Sequence, residues 1–482
     1  MLKNKLFLVY IVAFIYIAMG AFFVSKENYV FFTLVNVIPI ILIIVYLTLF
    51  SLNNLLFLII FLTPLSISTS EFIPGLENDI SLPVEPLLFG VLLLFLIKLL
   101  FEKSFDKRVF THPISIAIYF NLIWMLVTSF TSTMPVVSFK FLLARLWFLA
   151  TFFFLAAHLF KEKKNIYKYF WLFTSSFLIV VIYALYKHSI IGLFVQKAAN
   201  QAVSPFLPDH TSYAAVIAML MPLILGFFWI KHNSKIKKTL ILITFIILSI
   251  GVVFSYTRAA WLSLVGALGI YIIIFLKIKF RVVLITAITI ITLFFTFQTQ
   301  IFIALERNNQ DSNDNFSEHV ESMSNISTDA SNLERINRWS SAIRMFKDKP
   351  IFGFGPATYM FQYAPYQLAS EKTIISTNSG DVGNSHSEYL GPLSESGLFG
   401  LISIILVFIF TGYTAMKVYN SKAEKEIRIL SMILFLGLIT YFLHGVLNDF
   451  LDLTTTSAIF WGYSAAILAL DIYHSKEKDS IA

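Results

Sequence analysis

Long apolar runs alternate with short polar loops along almost the whole chain. A membrane-spanning helix needs about 20 apolar residues. Runs of that kind lie at about 5–25, 29–50, 52–66, 84–101, 114–132, 141–159, 169–189, 211–230, 239–256, 258–276, 282–299, 394–416, 429–447 and 457–473. The pattern predicts an all-α, polytopic membrane helical bundle of about 12–14 transmembrane helices. The first run follows Lys3 and Lys5. Because so many spans follow it, an uncleaved first helix is expected rather than a signal peptide.

Basic residues sort the loops. Lys103, Lys107 and Arg108, then Lys161, Lys163, Lys164 and Lys168, then Lys231 to Lys238, Lys277 to Arg281, and Lys417 to Arg428 occupy every second loop. That alternation predicts that these loops and both termini are cytoplasmic. The loops between them, such as 67–83 with Glu71, Glu77 and Asp79, then face outward. One stretch, about 301–385, is polar and falls outside by the same rule, as a large periplasmic loop. Apolar residues at 333, 336, 339, 343 and 346 predict a helix within it. Pro350, Gly353, Gly355 and Pro356 end that helix in turns. The expected organisation is N-terminal spans at 1–208, core spans at 209–300, the large loop at 301–393 and C-terminal spans at 394–482.

Composition agrees. The 482 residues are 57% hydrophobic and only 13% charged, and mean hydropathy is +0.78, whereas a soluble domain carries roughly 25% charge. The net charge of +8 would suit nucleic acid in a soluble protein, but here the bases lie between spans, and no nucleic-acid partner is expected. With no cysteine, disulfides, thiolate metal sites and a cysteine nucleophile are excluded.

A few polar residues stand out against this background. Arg258, at the outer end of the tenth run, is either a snorkelling anchor or an anion clamp, since guanidinium matches phosphate oxygens in a fork. Arg335 and Arg338 lie three apart on the loop helix and share a face, either solvated beside Glu334 or aimed at a ligand. His386 precedes the twelfth run, with Asp381, Glu388, Tyr389 and Glu395 near it in sequence. It is either a surface residue or, as a neutral imidazole, a proton acceptor. Asp209 reads as a helix N-cap or, with His210, as a substrate contact. For Asp449, Asp452 and His444 both acceptor binding and plain hydration stay open. A metal site is poorly supported, because only one histidine stands among irregularly spaced carboxylates. GFGP at 353–356 lacks the preceding strand and following lysine of a nucleotide loop.

Taken in order, these pieces resemble a known family. SYTRAAWL (255–262) opens a span. An outer loop follows with LERINRWSSAIRMFKDKPIFGFGPATY (333–359), and then His386 stands at a fixed distance from GLFG (397–400). This pattern, from about Asp209 to Gly400, resembles the O-antigen ligase and polysaccharide polymerase superfamily of bacterial inner-membrane glycosyltransferases of the GT-C type. The runs outnumber the spans usual in that family.

The resemblance implies an undecaprenyl-diphosphate-linked glycan as donor and a glycolipid or polysaccharide hydroxyl as acceptor, the glycolipid being lipid A-core or related. It also implies inverting transfer without metal or other cofactor. Arg258, Arg335 and His386 match the family's motif residues and carry its catalytic roles. Arg338, Asp209, His210, Tyr389 and Glu395 are expected substrate contacts. Three other readings remain: a polymerase, a protein O-oligosaccharyltransferase, and a membrane transporter with Arg145 as its best mid-span charge.

Overall fold

The computed structural model describes residues 2–72, 80–102, 105–230, 234–279, 330–373, 376–377 and 383–475, with single positions between 281 and 292. The chain divides into two compact units, 1–59 and 60–482. In the first, α1 (Leu2–Ser25) and α2 (Tyr29–Phe50) pack against each other. Asn28 caps α2 by accepting the Phe31 N–H, and Tyr16 Oη donates to Asn36 Oδ1 at 2.6 Å. Helix α3 (Leu52–Leu62) extends by one tight turn to Leu65, giving an apolar stretch short for a span.

The second unit contains α4 (Val84–Phe101), α5 (Lys107–Thr111), α6 (Pro113–Phe130), α7 (Pro135–Phe148), α8 (Ala156–Leu159), α9 (Lys163–Ile191), α10 (Gln196–Ala202), α11 (His210–Phe227), α12 (Lys235–Val253) and α13 (Arg258–Phe275). It continues with α14 (Ala330–Asp348), α15 (Tyr359–Gln362), α16 (Leu390–Tyr419), α17 (Lys425–His444) and α18 (Thr454–Ala469). Among the described residues, strands are confined to a two-residue ladder, β1 (Ile67–Ser68) against β2 (Ser81–Leu82). A π-helical stretch, Leu149–Leu155, joins α7 and α8 into one rod.

Among the described residues, ten helices are long and apolar enough to cross a membrane. They correspond to the fourth to tenth and twelfth to fourteenth runs of the sequence, and the first two runs are helical as well. The eleventh run, 282–299, lies outside the described residues apart from single positions. The polytopic all-α expectation is met.

At the centre stands α18, every residue of which is buried. It packs on α11, α16, α17 and the π-helical stretch. It carries no charged side chain, which permits enclosure on every side. Helix α17 in turn touches α11, α13 and α16. One end of this bundle gathers the basic loops. There Lys163 Nζ meets Glu426 at 3.1 Å, and Lys417 Nζ and His112 Nε2 share Asp471 at 2.8 and 3.3 Å. The opposite end holds the starts of α11, α13, α16 and α18, together with α14 and its flanking loops.

At that end the segment 350–359 is strapped across the bundle. The Phe354 carbonyl accepts the Thr133 N–H at 2.8 Å, and Gly355 donates to the Glu395 carbonyl at 2.7 Å. Two glycines are needed for steric reasons. A Cβ on Gly355 would stand 1.9 Å from Ser132 Oγ, and one on Gly397 would stand 2.0 Å from the Ile351 carbonyl oxygen. Gly397 also has φ 68° and breaks α16 open at that point. Trp124 Nε1 satisfies one carbonyl freed by the break, donating to Ser396 O at 2.7 Å. The GLFG spacing therefore records a backbone-on-backbone contact.

Candidate functional site

Helix α14 is the scaffold, but it does not pack on the stripe that reveals it in the sequence. Ile336 and Ile343 are exposed, whereas Glu334, Asn337, Arg338, Ser341, Ala342 and Met345 are buried. Ala342 and Met345 sit on Phe354, Tyr359 and Tyr363. The polar part of that face is closed by hydrogen bonds. Glu334 accepts from Arg338 Nε at 2.9 Å, from Thr373 Oγ1 at 2.9 Å and from Ser376 Oγ. Burial pushes its carboxyl up, but these donors outweigh that and hold it below the usual carboxylate range.

The same helix fixes the histidine loop. Arg338 Nη1 donates to Asn384 O at 3.1 Å, and Trp339 Nε1 donates to His386 O at 3.4 Å. Asn384 Oδ1 accepts the His386 N–H at 3.2 Å. Ser387 Oγ then accepts the N–H groups of Tyr389 and Leu390, which open α16. His386 itself has φ 51°, a left-handed conformation that costs a side-chain-bearing residue about 1–2 kcal/mol. The Arg338 and Trp339 contacts hold it there. The arginine–tryptophan pair and the histidine motif are thus two halves of one contact.

Arg335 is the hub. Its charge acts on His210, His386 and His444, so two helix ends and one loop lie within reach of a single guanidinium. Burial, followed by the charges of Arg335 and Arg338, lowers the His386 pKa to about 3, so the imidazole is neutral. His210, the first residue of α11, ties Arg258 into the same end. Its Nδ1 lies 2.7 Å from Ser255 O and 3.2 Å from Thr257 Oγ1, in the turn from which α13 starts at Arg258. His444, at the last position of α17, is buried, with Nε2 3.1 Å from Asn448 Nδ2.

The remaining predicted contacts are engaged with protein. Asp209 caps α11, accepting from Thr211 and Ser212 N–H at 2.8 Å each. The Glu395 carboxylate accepts the N–H groups of Ala357 and Tyr359, both at 3.0 Å. Tyr389 Oη donates to Phe442 O at 2.8 Å, and Arg338 is buried against Glu334 and Asn384 as described. Arg145 is paired as well, Nη2 meeting Asp452 Oδ1 at 2.8 Å. Asp381 lies outside the described residues. Among the described residues no group of three His, Asp or Glu side chains could hold a metal ion.

Sequence reasoning missed the place of His444 beside Arg335, because a residue at a helix end has no local signature of what faces it. It also missed the locking of Arg338. The i,i+4 spacing of Glu334 and Arg338 was the available signal.

Fold and site together define a polytopic membrane protein that gathers arginine and histidine side chains at one end of its bundle. Residues 243–405, a region holding Arg258, Arg335, His386, Gly397 and Gly400, match the family model described as O-antigen ligase. That match supports the O-antigen ligase superfamily, to which the motifs point. An uncharacterized protein of Haemophilus influenzae is 29% identical over 220 residues, which is 45% of this chain and 53% of that protein. The chain thus spans about half the length of this relative.

Proposed function

We propose that this protein is an O-antigen ligase-like glycosyltransferase that moves a glycan from undecaprenyl diphosphate to a hydroxyl of lipid A-core or a related glycolipid. The observation that carries the reading is the convergence of Arg335, His386, His210 and His444 at the bundle end where Arg258 starts its helix. By the alternation of basic loops, this is the outward, periplasmic end of an inner-membrane protein with both termini in the cytoplasm.

In this reading Arg258 and Arg335 bind the diphosphate, taking the charge-stabilising role that a divalent cation fills in other transferases. Charge on the leaving diphosphate grows as the C1–O bond breaks, so fixed guanidinium groups stabilise the transition state more than the ground state. The acceptor oxygen attacks the anomeric carbon from the opposite face with inversion. Its proton passes to the His386 imidazole, and the lipid diphosphate departs. A neutral imidazole is the form this step requires. Burial and two arginine charges make it a weak base. A bound diphosphate offsets those charges and raises its basicity when the acceptor arrives.

The test is glycan transfer by purified protein from a polyprenyl-diphosphate glycan, comparing wild type with Arg335→Ala and His386→Ala. A variant that folds and transfers at the wild-type rate removes the role given to that residue. The products in cells divide ligase from polymerase: a ligase mutant accumulates full-length lipid-linked polymer, and a polymerase mutant accumulates single repeats. The family description favours the ligase.

A further inference from the structure

A second cavity opens at the same end of the bundle, apart from the arginine site. Its volume is about 190 Å³. That is several times the ~30 Å³ share of one water and close to the size of one sugar ring. The β1–β2 ladder and its flanks wall one side, residues 205–208 a second, and Leu453 to Thr455 a third. All these walls belong to the second compact unit. Residues 205–208 run directly into Asp209, which caps α11, and His210, which holds the turn before Arg258. Leu453 follows Asp452 in the turn whose Phe450 and Leu451 N–H groups bind Glu388.

The lining selects among ligands. It contains no Lys, Arg or His among the described residues, so it is not built for a phosphate. Among the described residues it has one carboxylate, Glu71, which is too few for a metal ion. Serine and threonine hydroxyls make it too polar for an acyl chain. These groups, with the half-buried ring of Phe206, suit a neutral polyhydroxylated ring: hydroxyls and a carboxylate for sugar hydroxyls, an aromatic for the sugar's C–H face. Two of the hydroxyls are available. Thr455 is 6% exposed, and among the described residues neither its hydroxyl nor that of Ser81 makes a hydrogen bond, although both residues line the cavity. Thr455 lies in the first turn of α18, whose capping residue Leu453 offers no side-chain acceptor.

We propose that this cavity is a sugar subsite holding one pyranose residue of the glycan that the enzyme handles. The assignment rests on the glycan-transfer reading above. The sugar comes from the donor or from the acceptor, and the same chemistry serves both.

The test places a photoreactive benzophenone residue in the full-length chain, in place of Thr455 in one strain and of exposed Ile336, beside Arg335, in another. After illumination of the protein's own cells, adducts are detected with antiserum to the cell-surface polysaccharide. Glycan crosslinked at 455 supports the subsite. Loss of that adduct in cells lacking the lipid-linked donor identifies a donor sugar, and loss in cells lacking the acceptor identifies an acceptor sugar. Crosslinking at 336 without 455 overturns the subsite and leaves the transfer reading standing. Crosslinking at neither position overturns the transfer reading.

Purified Thr455→Val, which keeps the side-chain shape, gives an independent measure. Loss of one hydrogen bond predicts a KM about 3–10-fold higher with kcat unchanged. An unchanged KM also overturns the subsite.

Discussion

Two polar clusters lie at the same end of the bundle and differ in how their charge is met. Around Glu388 a buried carboxyl is bound to the backbone. Its Oε1 accepts the N–H groups of Phe450 and Leu451, both at 2.8 Å, and the Tyr441 hydroxyl. Arg145 meets Asp452, and Arg145 Nη1 also reaches Leu451 O at 3.4 Å. Around His386, among the described residues, the charges of Arg335, Arg338 and Glu334 act on the imidazole. Glu334 is paired with Arg338. A carboxyl that binds backbone N–H groups holds backbone in place. Guanidinium groups gathered around an imidazole suit an anion that arrives from outside.

If that contrast is right, substitutions around His386 lower transfer and spare the fold, and those around Glu388 act on the fold. The largest effect is expected from His386→Ala, about 10²–10⁴-fold in transfer rate for loss of the base, with the melting temperature in detergent near wild type. Arg335→Ala should cost about 10²–10³-fold and Arg335→Lys less. A melting temperature that falls as steeply as the rate would break the contrast.

Glu388 gives the opposite signature. Burial, with the Asp452 charge, raises its pKa to about 7 from an ordinary 4.5. The folded carboxyl therefore keeps its proton where the unfolded chain has released it. Stability should be full below pH 4.5 and decline as the pH rises towards 7, by on the order of 3 kcal/mol for this group. Glu388→Gln, which retains the acceptor oxygen, should flatten that decline in melting curves taken from pH 4.5 to 8. An unchanged slope would place the dependence elsewhere.

Arg338→Gln should fall between the clusters, because Arg338 holds the loop of His386 and not the ligand. About a tenfold loss of kcat is expected from one buried hydrogen-bonded charge, with donor KM little changed. A rise in donor KM alone would make Arg338 a ligand contact after all. The smallest effect is expected from Tyr389→Phe, which removes a hydrogen bond to Phe442 O worth about 1 kcal/mol. Melting should shift slightly and transfer should stay near wild type.

Legibility followed the range of the interactions. Spans could be read because a helix in lipid satisfies its own backbone, so twenty apolar residues suffice as a signal. Arg258, Arg335 and His386 could be singled out because each stands in a motif. The roles of Asp209 and Glu395 divide instructively. The cap was readable from Asp209 followed by Thr211, because a cap is local. Glu395 binds N–H groups more than thirty positions earlier in the chain, and nothing beside it in sequence announces that.

Helix α14 shows the limit most clearly. Its apolar period marked it as a helix, yet the polar face is the one buried, because strap, loop and bundle supply partners for Glu334 and Arg338.

The sequence alone determined that the chain crosses a membrane many times, which loops share a side, and which cation and imidazole motifs it carries. These follow from hydrophobicity, charge and short-range spacing. The tertiary structure alone decided that Arg335 lies near three histidines, that Arg338 is locked to Glu334, and that three distant segments enclose one cavity. Each of these depends on groups far apart in sequence that meet only when the helices pack, and no local pattern encodes such a meeting.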